Sequence, residues 1–110
     1  MNKELIEQNA VVIATKDKKV HQIVVIYVKV VEEKIIITDN YMKKTIENIK
    51  KNPDVNLLIF DRRWPEDKFK SEEIHGKAEY YTEGKWLDLV KKLPENADMP
   101  CKGVLVVKPI

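Results

Sequence analysis

Lys43, Lys44 and Thr45 follow the apolar segment KIIITD and open a stretch of helical periodicity. Cations at a helix start are disfavoured by about 0.3–1 kcal/mol each, because the aligned peptide dipoles leave partial positive charge there. A bound anion reverses that sign: free backbone amides, an ammonium and a hydroxyl are the donors that a phosphate monoester needs. The same residues also read as a solvated lysine pair on a lysine-rich surface. On a helix, Lys43 points about 100° away from Lys44, so the two side chains would not make the same contact.

Other chemistries find less support. The glycines, Gly76, Gly84 and Gly103, are too few and too scattered for a P-loop or a dinucleotide fingerprint. Ser71 sits in the charged stretch KFKSEE without a nucleophile elbow, and His21 and His75 read as surface or hydrogen-bonded structural residues. Cys101 is the single cysteine, so no intramolecular disulfide can form, and no metal-ligand spacing appears. Glu32, Glu33, Glu72 and Glu73 read as solvated charge, Trp86 as a packing residue, and Trp64 as a loop anchor or an aromatic lid. With only Arg62 and Arg63 as arginines against many lysines, sequence-specific nucleic-acid recognition is not expected.

These residues need elements to position them. A chain of 110 residues is expected to form one domain, residues 1–110, since single cores gather on the order of 100–150 residues. A 44% apolar fraction, 35% charged residues and a net charge of +2 fit a soluble, folded chain. The longest apolar run, Ile23 to Val31, is interrupted by Lys29 and falls short of the roughly 20 residues a membrane-spanning helix needs. The start MNKELIEQ lacks a signal-peptide pattern, so a cytoplasmic location is expected.

A short helix is predicted from about Lys3 to Gln8, followed by strand AVVIATK and a turn at Asp17 to Lys19. HQIVVIYVKVV reads as one long second strand, Glu32-Glu33 as a turn and KIIITD as the third strand. Ile23 to Val28 is apolar on both faces, so one face needs the core and the other a partner chain or a flat ligand. A helix follows from about Met42 to Lys51, with Met42, Ile46 and Ile49 on one face, and Asn52-Pro53 ends it. VNLLIFD, a strand from about Phe69 to Tyr81, helix KWLDLVKKL stopped by Pro94, and strand GVLVVKP complete the chain, with RRWPED as a loop. Six strands with local connections define a mostly β, α+β protein in which a barrel closes its own edges.

The stretches VVIATKD, YVKVVEEKIIITDNYMKKTIENIKKNPDVNLLIFD, IHGKAEYYTEG and KGVLVVKP resemble the pyridoxamine 5′-phosphate oxidase-like FMN-binding split barrels, particularly the small stand-alone FMN-binding proteins of anaerobes. The resemblance implies a six-stranded antiparallel split β-barrel with flanking short helices, a homodimer, and FMN held non-covalently at the subunit interface. It assigns Lys44 and Thr45 to the FMN phosphate. Thr38, Asp39 and Asn40 then border the flavin, Ile23, Val24 and Val25 face its ring, and Asn48 is a structural position. Two departures stand out: Asp17-Lys18-Lys19 replaces the usual Asp-Gly turn, and the ring-facing strand is plain Ile and Val, so backbone groups must supply its hydrogen bonds. Asp39 suits a site for a dianion only if its carboxylate points away.

The implied function is electron or hydride transfer between FMN and a small-molecule or protein partner that no motif specifies. A flavin-binding or storage module without turnover, a cofactor-free interaction module and a deazaflavin-binding relative are the other classes. Oxidation of pyridoxine or pyridoxamine 5′-phosphate is not expected, because Arg62 and Arg63 lie mid-chain and the sequence as given ends at Ile110 without the basic C-terminal groups of the true oxidases. An assay with FMN and oxygen should yield no pyridoxal 5′-phosphate at ordinary enzymatic rates; formation at about 1 per second or faster would overturn this expectation.

Overall fold

The computed structural model describes residues 1–61 and 70–110. The RRWPED loop, with Arg62, Arg63 and Trp64, and the residue Phe69 lie outside the described residues. The elements are α1 (Lys3–Gln8), β1 (Val11–Lys16), β2 (Val20–Val25), β3 (Lys29–Val31), β4 (Lys34–Asp39), α2 (Lys44–Lys51), β5 (Asp54–Asp61), β6 (Lys70–Tyr81), α3 (Lys85–Lys91), a 3₁₀ turn (Pro94–Asn96) and β7 (Gly103–Pro109).

All strand pairs are antiparallel, in one seven-stranded sheet of order β2-β1-β5-β6-β7-β4-β3. The expected second strand, HQIVVIYVKVV, is therefore two strands, because the chain leaves one edge of the sheet after Val25 and joins the opposite edge at Lys29. Tyr27, at φ 58°, makes the break. Four residue steps reach at most about 13–14 Å, whereas the outer strands of a flat seven-stranded sheet would lie about 28–29 Å apart at the usual spacing. The sheet must curl into an open barrel whose two edges are bridged by residues 26–28. Glu32 and Glu33, both at positive φ (54° and 63°), then turn β3 tightly into β4.

Alternation along the strands fills the barrel with Val11, Ile13, Val25, Ile35, Ile37, Leu57, Ile59, Leu105 and Val107, and α1 and α2 add Ile6, Ile46 and Ile49. A second cluster lies outside the sheet, where Trp86, Leu87 and Val90 of α3 cover Ile36, Val104 and Val106. Two-sided burial explains the uninterrupted runs of β4 and β7. Helical spacing in the sequence puts Trp86, Leu89, Val90 and Leu93 on one face, but Leu87 of α3 is buried, while Leu89 and Leu93 are only partly so.

On β2 the inner residue Val25 is buried, but Val24, and Ile26 just beyond the strand, are 65% and 58% exposed. Among the described residues, the second apolar face anticipated in the sequence is exposed at these positions. Cross-strand register extends it: Val24 pairs with Val12, and Val12 with Leu58. Leu58 and Phe60, on the same outer face of β5, are 42% and 40% exposed.

A candidate anion and cofactor cleft

A cavity of about 560 Å³ lies between the free edge of β2, the end of β4, the start of α2 and the segment after α3. Its size falls within the roughly 300–1,000 Å³ of small-molecule sites. Ile23, Val24 and Val25 line it from β2, Thr38 and Asn40 from the β4 end, and Lys44 and Thr45 from α2. Seven of the eight residues singled out in the sequence thus share one cleft. Because β2 pairs only with β1 among the described residues, half of its backbone amides and carbonyls point away from the sheet at this edge.

Asp39, the eighth, is not a lining residue. Its carboxylate is fully buried and turns the other way: Oδ1 accepts the Met42 amide at 2.8 Å and Oδ2 accepts the Tyr80 hydroxyl at 2.6 Å. The helix start differs from the expectation as well. Periodicity placed it at about Met42, but α2 begins at Lys44, with Lys43 in a non-helical conformation (φ −130°, ψ −66°) and no side-chain cap. The 100° helical offset therefore does not apply to Lys43, which lines the cleft beside Lys44.

The first intrahelical amide bond of α2 runs from Glu47 to the Lys43 carbonyl at 3.0 Å. Among the described residues the amides of Lys44, Thr45 and Ile46 have no partner, as the first turn of a helix requires of its donors. Thr45 is 1% exposed. Lys44 is exposed and pairs loosely with Glu47 (3.8 Å), an arrangement worth little in water and easily exchanged for a ligand. Asn48 is buried and donates to Thr15 Oγ1 at 3.1 Å, tying α2 to β1.

The opposite wall comes from residues that sequence reasoning missed. Asn96, buried, donates to Thr38 Oγ1 (3.1 Å) and to the Val90 carbonyl (2.9 Å), so it links the cleft to α3. Glu95 Oε1 is buried and lies 3.3 Å from Lys29 Nζ without hydrogen-bond alignment, leaving an acceptor at the cleft wall. The signal was the Glu-Asn pair after Pro94, which the helix stop overshadowed. Ile26, Tyr27, Tyr41, Met42, Met99 and His21 complete the lining. The histidine reading as a surface residue thus gains a location at the cleft. Among the described residues no group of three or more His, Cys, Asp and Glu side chains comes together, and no helix is long and apolar enough to cross a membrane.

A curled antiparallel sheet, open between its two edges and carrying an uncapped helix start on an apolar cleft, defines a split-barrel protein. The sequence model of the pyridoxamine 5′-phosphate oxidase family matches residues 1–109, and the chain belongs to that family. An uncharacterized protein of Methanocaldococcus jannaschii, MJ0282, is 34% identical over 76 residues, which cover 67% of this chain and 48% of the relative. The chain thus matches about half the length of that curated relative. Among solved structures, HupZ of Group A Streptococcus superposes with a TM-score of 0.84 at 22% identity, covering 98% of this chain and 86% of the other. An FMN-binding protein from Syntrophomonas wolfei gives 0.70 at 18% identity, covering 98% and 79%. An F420 reductase gives 0.71 at 19% identity, covering 98% and 92%. At these identities the structures establish the fold.

Tyr80 supplies a pH dependence. Burial, then its hydrogen bond to Asp39 and that carboxylate's charge, push its phenol well above the usual 10.0. The folded state therefore holds this proton more tightly than the unfolded chain. The resulting stability is fully present below pH about 10 and is lost as pH rises beyond it. Urea denaturation across that range should show the parent losing stability more steeply than Tyr80→Phe. At neutral pH the variant should be less stable by about 1–3 kcal/mol, the cost of removing one donor from a buried carboxylate.

Proposed function

We propose that the protein is a homodimeric flavoprotein that holds FMN non-covalently in this cleft and passes electrons or hydride between it and a redox partner. The observation that carries the reading is the cluster of three unpartnered amides, two lysines and a buried threonine at the start of α2, all at one end of a cleft with an apolar wall. The amides of Lys44, Thr45 and Ile46 and the ammonium groups of Lys43 and Lys44 would hold the phosphate. Ile23, Val24 and Val25 would lie along the ring, with the open β2 edge offering backbone donors and acceptors. Thr38, Asn40 and the Glu95 carboxylate supply further polar contacts. FMN brings the redox chemistry; the protein's share is binding, orientation and exclusion of water. The buried lone Cys101 suits a reducing, cytoplasmic setting.

A deazaflavin offers a similar flat ring and phosphate, and the likeness to an F420 reductase makes it the second candidate. The ultraviolet–visible spectrum of the purified protein distinguishes FMN, deazaflavin and no chromophore. In titrations, Lys44→Ala should weaken FMN by about 10- to 100-fold, since charge-assisted hydrogen bonds contribute about 1.5–3 kcal/mol. Riboflavin, which lacks the phosphate, should be nearly unaffected. Lys43→Ala should act in the same direction, and Thr45→Val should cost about 1 kcal/mol. Lys91→Ala, on α3, is the control. Equal loss of both ligands in Lys44→Ala would return these residues to an ordinary lysine-rich surface.

The exposed outer face formed by Val12, Val24 and Leu58 is the surface we assign to the second copy, because it is continuous with the cleft through Val24. An apolar patch of this kind marks an interface, and two copies meeting on one patch imply two-fold symmetry. Light scattering at micromolar concentration should give twice the chain mass for the parent and a single chain mass for Val24→Lys/Leu58→Lys. A monomeric parent would reject the assignment.

A further inference from the structure

The cavity is charged unequally along its length. Lys43 and Lys44 line it at the start of α2, and among the described residues of the lining Glu95 is the one carboxylate. Glu95 belongs to the 3₁₀ turn after α3, where the Asn96 amide donates to the Leu93 carbonyl (3.0 Å) and the Ala97 amide to the Pro94 carbonyl (3.2 Å). Asn96, the next residue, ties that turn to β4 through Thr38. On the other side Lys29 Nζ stands 3.3 Å from Glu95 Oε1, and Lys29 pairs across the sheet with Ile36. Ile36 and Thr38 both precede the strand end at Asp39, whereas the lysines follow it. The carboxylate is held beside the body of β4, and the lysines lie beyond its end.

The two oxygens of Glu95 differ. Oε1 is buried next to Lys29, which balances the charge without an aligned hydrogen bond. Oε2 accepts no hydrogen bond among the described residues, and the side chain, 18% exposed, belongs to the cleft lining. Thr38 Oγ1 accepts from Asn96 Nδ2, so the hydroxyl hydrogen of Thr38, also a lining residue, is left to donate. An acceptor and a donor on one wall complement an imide, in which an N–H stands between two carbonyl oxygens. Oxidised isoalloxazine carries a single N–H, at N3 of its imide, while N1, N5 and both carbonyl oxygens are acceptors that a carboxylate repels. The ribityl hydroxyls adjoin the phosphate and so fall toward the lysines. The imide is the group left for Glu95.

We propose that Glu95 is a specificity-determining residue whose carboxylate accepts a hydrogen bond from an imide N–H, so that the cleft takes a ligand with an anion at one end and an imide at the other. The inference rests on the FMN reading for the anion end. Lys29 and Asn96 hold the carboxylate in place, and the Lys29 charge offsets its repulsion of a phosphate. A site built to accept a donor rejects the analogue that lacks it, because the acceptor then loses its water without gaining a partner.

The protein is titrated with FMN and with 3-methyl-FMN, which carries a methyl group in place of the imide hydrogen. The parent should bind 3-methyl-FMN at least tenfold more weakly than FMN. Glu95→Ala should lose about tenfold in FMN affinity, as for one charge-assisted hydrogen bond, and should hold 3-methyl-FMN within about threefold of the parent. Should the alanine variant fail to fold, Glu95→Gln decides: its neutral acceptor of the same shape should cost FMN about threefold and leave 3-methyl-FMN unchanged. If Glu95 merely excluded the methyl group, Glu95→Ala would keep its FMN affinity while 3-methyl-FMN gained. If it merely supported the turn, both ligands would weaken equally. Either result overturns the inference and leaves the FMN reading standing, whereas a parent that binds no FMN overturns both.

Discussion

The crossing from Val25 to Lys29 is the constraint on which the rest of the structure depends. Two strands adjacent in sequence occupy opposite edges of one sheet, and the short link between them forces the sheet to curl until those edges approach. An antiparallel sheet closed by continuous pairing would bury both edges in hydrogen bonds and leave no opening. Here the link bridges the gap without pairing it. The edge of β2 keeps its outward backbone groups, and the space beside it becomes the cleft. One consequence is that the exposed apolar residues of the crossing, Ile26 and Tyr27, stand at the mouth of the cavity and beside the bare sheet face at once. The cleft and the exposed sheet face are neighbours because the same two residues border both.

Most of the fold was legible in the sequence where one physical signal decided the outcome. α1 matches its predicted span, and β4 and β5 match to within a residue, because apolar runs bounded by turn residues leave few alternatives. The division of HQIVVIYVKVV was hidden: a left-handed residue such as Tyr27, at φ 58°, is a demand of topology and not of side-chain type. The start of α2 was misplaced for a related reason. Periodicity reports which residues share a face, and Met42 does pack against the barrel core. It does not report where the backbone leaves the helical region, here at Lys43. The α2 side of the cleft was readable because helix-start lysines oppose the dipole locally. The Asn96 and Glu95 wall was not, because its contacts to Thr38 and Lys29 span more than fifty residues.

A carboxylate as fully buried as Asp39 is an odd neighbour for an anion site. Its burial is tolerable only because its oxygens are satisfied, since a desolvated and unpaired charge costs several kcal/mol. The partners differ in kind. A phenol and a backbone amide donate without adding net charge, while Lys102, half in solvent and 3.9 Å away, offsets the charge more loosely. Orientation also matters: both carboxylate oxygens are engaged away from the cleft, so the side chain shows the cavity no lone pair. The loss of net attraction for an anion is then made up by Lys43 and Lys44 at the mouth.

Hydrogen bonds rather than added positive charge therefore set how selective such a site can be. Surface lysines attract any anion, and water and salt screen that attraction within about 10 Å. Backbone amides at a helix start are fixed in direction and already desolvated on one side, so they reward a tetrahedral oxyanion over a carboxylate or a chloride. This protein carries lysines over much of its surface, but an uncapped eight-residue helix opening onto an apolar cleft occurs at α2. In the proposed reading, the selectivity of the site follows from where α2 begins, because that boundary sets which amides face the cleft.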